Sequence, residues 1–123
     1  MENLFGLLIR EKRTEKQISL RGFSRIIGIS PVYLSRIENG SRSAPSDDVI
    51  EKMAKALAFN EKERELMYDL AAQSKNSLSL ASDLVIYINK NEIIHKALRL
   101  SKKCNAKEID WQSFINLLSE KYL

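Results

Sequence analysis

The fold of this chain is decided by residues 19–46, which read SLRGFSRIIGISPVYLSRIENGSRSAPS. Two runs of about nine residues show helical periodicity there, and only Gly28 and Ile29 join them. Ser19 and Ser30 stand where side chains cap helix starts, and Pro31 takes the first helical position, where its missing N–H costs nothing. A link this short makes the two helices cross steeply, so the stretch predicts a helix-turn-helix.

Apolar residues are spaced to close the angle between these two helices from inside. They are Phe23, Ile27, Ile29, Leu34 and Ile37. Ser24 is small where the helices come closest, and Gly22 inside the first helix costs about 1 kcal/mol relative to alanine. An ordinary helical hairpin in a core is the alternative. The coincidence of the anchors, the glycine turn, the Ser-Pro start and the Glu-Asn-Gly end favours the helix-turn-helix.

Helical periodicity extends over the rest of the chain, and strand-like alternation between turn signals is absent. The sequence therefore predicts an all-α protein. The expected helices run from about Glu2 to Lys16, over 19–28 and 30–39, from Ser46 or Asp47, from Asn60, and over about 80–89, 92–103 and 108–122.

A polar, serine-rich segment, residues 74–80, is the best boundary in the chain. It predicts a domain over 1–73, a linker over 74–80 and a helical segment over 81–123. Trp111, Phe114, Ile115, Leu118 and Tyr122 fall on one face of the last helix. Because the segment is too short for a large core of its own, it must pack on the first domain or on a second copy. We favour dimerisation through this segment.

Positive charge is concentrated in the first third of the chain. The whole chain has a net charge of +4, and residues 1–45 carry eight Lys and Arg against four Glu. A surface that faces phosphates needs such a one-sided charge.

Several classes of protein find no support in the sequence. The single Cys104 permits no internal disulfide and indicates a reducing compartment, and it gives, with the single His95, no metal-ligand pattern. No residue set resembles a catalytic site, and no cofactor is expected. No apolar run reaches the length of a membrane span, and "LFGLLI" is followed at once by "REKR" rather than by a signal-peptide core. We expect a cytoplasmic protein with no membrane contact.

The order S-x-x-Y-L-S-x-I-E-x-G in residues 30–40, followed by Arg42, Pro45 and Ser46, resembles the Cro and phage-repressor class of helix-turn-helix regulators, the XRE family. Pro45 comes one residue later than in the tightest form of the pattern. The resemblance implies a five-helix, lambda-repressor-like DNA-binding domain over about residues 4–72. It also implies an inter-helix ion pair between Arg13 and Glu38, since an unpaired Glu38 would repel phosphate.

In a helix-turn-helix, the N-terminal part of the second helix enters the major groove, so the helix over 30–39 is the expected reading helix. Its residues that are not apolar anchors are the candidates for reading bases: Pro31, Val32, Ser35 and Arg36. The candidates for phosphate contacts flank them: Ser19, Arg21, Tyr33, Asn39, Ser41 and Arg42. Tyr33 could instead be a core-edge residue, and Arg36 and Arg42 could be merely solvated.

The expected function is sequence-specific binding to double-stranded DNA by a homodimer, with repression of transcription as the default outcome. One alternative is an antitoxin or phage-immunity regulator whose helices over 81–123 bind a protein partner. Another is a protein-interaction module with this fold that does not bind DNA.

Overall fold

The computed structural model describes residues 3–76 and 79–123. These residues contain eight α-helices and no strand, which confirms the predicted all-α class. The helices are α1 (Leu4–Glu15), α2 (Leu20–Ile27), α3 (Pro31–Asn39), α4 (Asp47–Ala56), α5 (Glu61–Lys75), α6 (Ser82–Asn89), α7 (Glu92–Lys103) and α8 (Glu108–Tyr122).

The chain forms two compact units, and the division between them lies inside α6. The first unit ends at Val85 and the second is Ile86–Leu123. Ala81 is buried in the first unit, and Ser82 Oγ donates a hydrogen bond of 3.0 Å to Asp47 Oδ1 on α4. The first unit therefore continues past residues 74–80, the predicted linker, of which residues 77 and 78 lie outside the described residues.

The core of the first unit lies where α1 packs on α3 and α5, and where α2 packs on α3 and α4. Its largest fully buried side chains come from all five of these helices and from Leu57, the residue after α4. They are Phe5, Ile9, Phe23, Ile27, Leu34, Ile37, Ile50, Met53, Leu57 and Met67. Burying an apolar side chain of this size stabilises the fold by about 1.5–3 kcal/mol, so this cluster fixes how α2 and α3 are held.

The start of α5 is closed by a reciprocal pair of hydrogen bonds. Asn60 Oδ1 accepts from the Glu63 N–H at 2.8 Å, and Glu63 Oε1 accepts from the Asn60 N–H at 3.0 Å. The Asn60 N–H and, next, the Lys12 ammonium, 3.1 Å from Glu63 Oε2, hold the pKa of Glu63 below its ordinary value. The same ion pair ties α1 to α5.

A second polar contact ties α4 to α5. Glu51 on α4 accepts hydrogen bonds from the Tyr68 hydroxyl and the Arg64 guanidinium on α5. The Tyr68 hydrogen bond, followed by the one from Arg64, lowers the pKa of Glu51 against the opposing effect of burial. Burial and the Glu51 carboxylate together raise the pKa of Tyr68. These bonds stabilise the ionised form of Glu51.

The second unit contains the end of α6 together with α7 and α8. Asn105, in the left-handed conformation at φ 56°, ends α7, and the Ala106 N–H donates to the Ser101 carbonyl at 2.9 Å. Asp110 Oδ2 accepts from the Lys107 N–H at 2.8 Å at the start of α8. Both helices have the bounds that periodicity predicted. None of residues 86–123 is buried.

Candidate nucleic-acid interface

The link between α2 and α3 is built from two caps and a left-handed glycine. Ser19 Oγ accepts from the Gly22 N–H at 2.9 Å at the start of α2, and Ser30 Oγ accepts from the Tyr33 N–H at 3.1 Å at the start of α3. Gly28 ends α2 at φ 75°, a conformation that glycine adopts without the steric cost of a Cβ. The chain therefore leaves α2 and enters α3 within three residues, as predicted.

The apolar anchors fix which face of α3 points outward. Leu34 and Ile37 are fully buried, together with Phe23 and Ile27 on α2. Tyr33 is half-buried and packs against this core. Its ring therefore lies at the edge of the core, which is one of the two alternatives that the sequence left open for Tyr33. Its hydroxyl as a phosphate contact stays a prediction.

The outward faces of α2 and α3 form one shallow concavity. Its lining contains all four candidate base readers, two of the phosphate candidates and one residue that sequence reasoning left out: Pro31, Val32, Ser35, Arg36, Arg21, Asn39 and Leu20. Val32 is 64% exposed, although it is apolar and lies in the first turn of α3. The remaining phosphate candidates, Ser19, Tyr33, Ser41 and Arg42, do not line the concavity.

Leu20 is the one residue of this lining for which the sequence predicted no functional role. Here it is half-buried and packs against the core while it also lines the concavity. Helical periodicity alone does not distinguish a core residue from one at the rim of a site.

Hydrogen bonds restrict what Asn39 and Ser41 can offer a ligand. Asn39 Oδ1 accepts from the Ser41 N–H at 2.9 Å and from the Ser41 hydroxyl at 2.6 Å. The amide oxygen of Asn39 is thus engaged, which leaves its NH₂ group as a donor suited to a phosphate oxygen. Both donors of Ser41, its N–H and its hydroxyl, bond to Asn39 Oδ1. The Ser41 hydroxyl can therefore donate to a phosphate only after it rotates away from Asn39.

Arg42 is held close to the end of α3 by its backbone. The Arg42 N–H donates to the Arg36 carbonyl at 3.1 Å, and the Arg42 side chain is exposed. A guanidinium in this position can reach a phosphate without competing for the concavity.

Arg13 and Glu38 form the ion pair that the resemblance implies. Arg13 Nε lies 2.8 Å from Glu38 Oε2, and Arg13 Nη2 lies 3.0 Å from Glu38 Oε1. Arg13 Nη1 also donates to the Ile18 carbonyl at 2.8 Å. Glu38 is 5% exposed, so its charge is neutralised inside the fold and is kept away from the surface that surrounds the concavity.

A further tie between α1 and α3 was missed by sequence reasoning. Asn3 Oδ1 caps α1 through the Gly6 N–H at 3.1 Å, and Asn3 Nδ2 donates to the Glu38 carbonyl at 2.8 Å and to the Ile37 carbonyl at 3.3 Å. A Cβ on Gly6 would meet the carbonyl oxygens of Ile37 and Glu38, so α1 approaches α3 this closely only with glycine there. The one local signal was an Asn before the first apolar periodic residue, which marks a helix start.

The N-termini of α2 and α4 are not equally suited to binding a phosphate. The first turn of α2 carries Arg21 and no acidic residue. The first turn of α4 leaves its N–H groups without a side-chain cap, but it carries Asp47 and Asp48, whose charges oppose an anion. The electrostatics therefore favour α2.

Within the described ranges, no group of three or more His, Cys, Asp or Glu side chains is placed to hold a metal ion. Among the helices of those ranges, none combines the length and apolar character that crossing a membrane requires.

Comparison with known proteins shows what the helix-turn-helix region is similar to. Residues 9–63 match the family model described as Helix-turn-helix. Among curated proteins, the chain is similar to the HTH-type transcriptional repressor RghR of Bacillus subtilis, at 38% identity over 43% of this chain and 39% of that protein. It is also similar to an HTH-type transcriptional regulator of Mycobacterium tuberculosis, at 42% identity over 42% of this chain and 36% of that protein.

A phage protein is a third relative. The ImmF control region 10 kDa protein of Bacillus phage phi105 is 41% identical over 40% of this chain and 53% of that protein. The chain thus spans between 36% and 53% of the length of these three relatives. No solved structure matches the chain.

The geometry and these matches define the first unit as a helix-turn-helix domain of the class found in DNA-binding transcriptional regulators. The match over residues 9–63 confirms the resemblance of residues 19–46 to helix-turn-helix regulators of the XRE type.

Proposed function

We propose that this protein is a cytoplasmic, sequence-specific transcriptional regulator that binds double-stranded DNA with α3 in the major groove. The observation that carries the proposal is the concavity of α2 and α3. It gathers Val32, Ser35 and Arg36 on the outward face of a helix whose opposite face is fully buried. A helix that lies in the major groove needs an outward face with side chains that can contact base edges.

Each candidate base reader has a chemistry that suits a base edge. The Arg36 guanidinium can donate two parallel hydrogen bonds to guanine O6 and N7, and Ser35 can donate to or accept from a base. Pro31 and the exposed Val32 offer apolar contacts that fit a thymine methyl group. We expect sequence preference to come mainly from Arg36. The contacts of Pro31, Val32 and Ser35 add complementarity to the shape of the base edges.

The phosphate contacts set the register of the protein on DNA and most of its affinity. Arg21, Asn39 and Arg42 offer donors around the concavity, and the Ser19 hydroxyl stands at the start of α2. Tyr33 and Ser41 complete the proposed set, with the rotation of the Ser41 hydroxyl described above. Such contacts act on any sequence.

We further propose that two copies bind the two halves of an inverted-repeat operator and repress transcription. The name of the Bacillus subtilis relative, a transcriptional repressor, supports repression over activation. Half-site centres about 10 bp apart would place both reading helices on one side of the duplex.

The experiment that tests DNA binding is a titration of a mixed-sequence duplex at several salt concentrations. We expect the logarithm of the binding constant to fall linearly with the logarithm of the salt concentration, because phosphate contacts release counterions. An Arg21→Ala, Arg42→Ala double variant should show a shallower slope. A chain without measurable DNA binding at low salt, or with salt-independent binding, would refute the proposal and favour an interaction module with this fold.

A second candidate, an antitoxin or phage-immunity regulator with a protein partner on residues 81–123, is favoured by the relative from Bacillus phage phi105. Copurification would distinguish it. A different protein that is retained by the full chain and lost when residues 81–123 are removed supports this candidate.

A further inference from the structure

The second unit carries most of the net positive charge of the chain. Residues 86–123 hold seven Lys and Arg against four Asp and Glu, whereas residues 1–85 hold 13 against 12, because the acids of α4 and α5 offset the bases of the first third. Six of the seven bases fall within residues 90–107, where Glu92 is the only acid. A surface for an anionic partner needs such a concentration of one sign of charge.

Burial fixes the side of α7 on which its bases lie. Ile94 and Ser101 are half-buried and all other residues of α7 are exposed. These two residues are seven positions, or about two turns, apart and so lie on one side of the helix. The bases of α7 follow one another at three- and four-residue spacing on the opposite side or at its edge. We call this set the α7 basic face, and its members are Lys96, Arg99, Lys102 and Lys103.

The charges of the α7 basic face are not neutralised within the fold. None of the ion pairs in the ranges 3–76 and 79–123 includes a residue of α7. The helix dipole favours bases in the last turn, which explains Lys102 and Lys103 but not Lys96 and Arg99. Like charges one turn apart on a helix repel, at about 0.2–0.5 kcal/mol for each pair. An anion bound across the face would remove this repulsion.

The length of the α7 basic face suits a row of phosphates. From Lys96 to Lys103 the helix rises by about 10 Å. One strand of a DNA duplex carries one phosphate for about every 3.4 Å of the duplex axis, so the face can contact about two or three phosphates at once. The Arg99 guanidinium can bind one of them through two parallel hydrogen bonds.

A lipid surface is the other common partner of a basic, amphipathic helix. Helices that lie in a membrane interface carry Trp or Phe on their apolar side in addition to Leu. α7 carries no aromatic residue. Its apolar residues are Ile93, Ile94, Ala97, Leu98 and Leu100. The composition of α7 therefore favours nucleic acid over lipid.

The connection of α7 to the first unit also favours DNA. Residues 86–91 are all that separates the first unit from α7. A short link between two binding modules raises the effective concentration of the second module at the site of the first. Phosphate contacts that are too weak to hold DNA alone would therefore add to binding once the helix-turn-helix holds a duplex.

We propose that the α7 basic face is a second DNA-binding surface, which contacts phosphates of the duplex outside the stretch that the first unit contacts. It adds affinity that does not depend on the base sequence. The proposal rests on the proposed function, because the first unit brings the duplex to α7.

The test is a set of salt titrations of a mixed-sequence duplex of about 30 bp, or about three helical turns. The full-length wild-type chain is compared with a Lys96→Gln, Arg99→Gln double variant. Glutamine removes the charge and has nearly the same helix propensity, so circular dichroism should show the same helix content. We expect the slope of log binding constant against log salt concentration to become shallower by about 2 for each bound chain.

A Lys62→Gln, Lys75→Gln double variant is the matched control. Both lysines are exposed on α5 and lie outside the concavity, and the variant removes the same amount of charge from the chain. We expect it to keep the wild-type slope. Arg99→Lys, which keeps the charge of the α7 basic face, should keep the wild-type slope as well.

Equal slopes for the wild-type chain and the α7 double variant would overturn the proposal and leave DNA binding by the first unit intact. An equally shallow slope in the α5 control would also overturn it, because net charge alone would then explain the effect. Binding to phosphatidylglycerol vesicles that the α7 variant loses, with an unchanged DNA slope, would identify a lipid surface instead. A wild-type chain that binds no DNA would refute the proposed function and this proposal together.

Discussion

Arg13 on α1 and Glu38 on α3 are joined by two parallel hydrogen bonds of 2.8 and 3.0 Å, with side chains only 12% and 6% exposed. Together with the bond from Arg13 to the Ile18 carbonyl, this pair locks α3 against α1. The two parallel bonds of a bidentate pair hold both side chains in one geometry. Removal of either partner leaves a buried charge without compensation.

Removal of one partner of this ion pair should therefore be costly. We expect Glu38→Ala to lower the free energy of unfolding by about 3–5 kcal/mol, because the Arg13 guanidinium stays buried and loses its partner. Urea denaturation measures this loss. Glu65→Ala, an exposed acid on α5, is the control and should change stability by less than about 0.5 kcal/mol. Equal effects of the two variants would show that the pair is not structural.

Gly28 is required for its conformation and not for space. An added Cβ would meet only Lys52 Nζ, at 3.9 Å, yet the backbone there lies at φ 75°. Gly28→Ala should then cost about 1–2 kcal/mol, the penalty for an alanine in the left-handed region. Gly28→Asn should cost less, because asparagine tolerates that region. Thermal unfolding of both variants checks the order, and an alanine variant as stable as the wild type would contradict it.

Arg36 should read one base pair. We expect Arg36→Ala to cost about 1–3 kcal/mol of DNA-binding free energy at a single operator position and to relax the preference there. Arg36→Lys is the sharper variant, because it keeps the charge and loses the bidentate geometry. Competition binding against operators changed one position at a time measures both. Unchanged affinity and unchanged preference in both variants would show that Arg36 does not contact a base.

Arg42 should act on all sequences alike. We expect Arg42→Ala to weaken operator and non-specific DNA by similar factors and to reduce the salt slope of binding by about 1. Salt titrations with both kinds of DNA provide the measurement. A loss confined to one operator position would instead make Arg42 a base reader.

The contact among Glu51, Arg64 and Tyr68 should make the stability of the fold depend on pH. Because the folded protein lowers the pKa of Glu51 from its ordinary 4.5, the contact stabilises the fold above that pH. The stabilisation is lost as the pH falls below 4.5 through the folded pKa. Tyr68→Phe should destabilise the protein by about 0.5–1.5 kcal/mol at neutral pH. The difference from wild type should shrink in acid, as denaturation at a series of pH values would reveal. A difference that stays constant with pH would exclude Glu51 as the partner that matters.

The sequence was most informative where local chemistry decides the structure. Ser30 followed by Pro31, and Gly28 before them, determine a helix start and a helix end whatever surrounds them, and both lie where the sequence predicted. The bounds of α7 and α8 are those that helical periodicity, which is also a local property of the sequence, predicted.

The missed contacts depend on how helices are rotated against one another. Asn3 reaches the Glu38 carbonyl across 35 positions, and the Glu51 contact crosses from α4 to α5. Local periodicity contains no information about such pairs. Sequence reasoning named every residue that lines the concavity except Leu20, which looks like any core residue in the sequence. Ala81 is buried in the first unit and Ser82 bonds to Asp47 after a polar segment, and neither contact leaves a local signal in the sequence.

The most direct test of the reading helix is selection of the full-length chain on a random DNA library at near-physiological salt, repeated with Arg36→Lys. We expect an enriched inverted repeat with half-site centres about 10 bp apart, and loss of preference at one position of each half-site in the variant. No enriched sequence, or the same sequence enriched by both proteins, would contradict it.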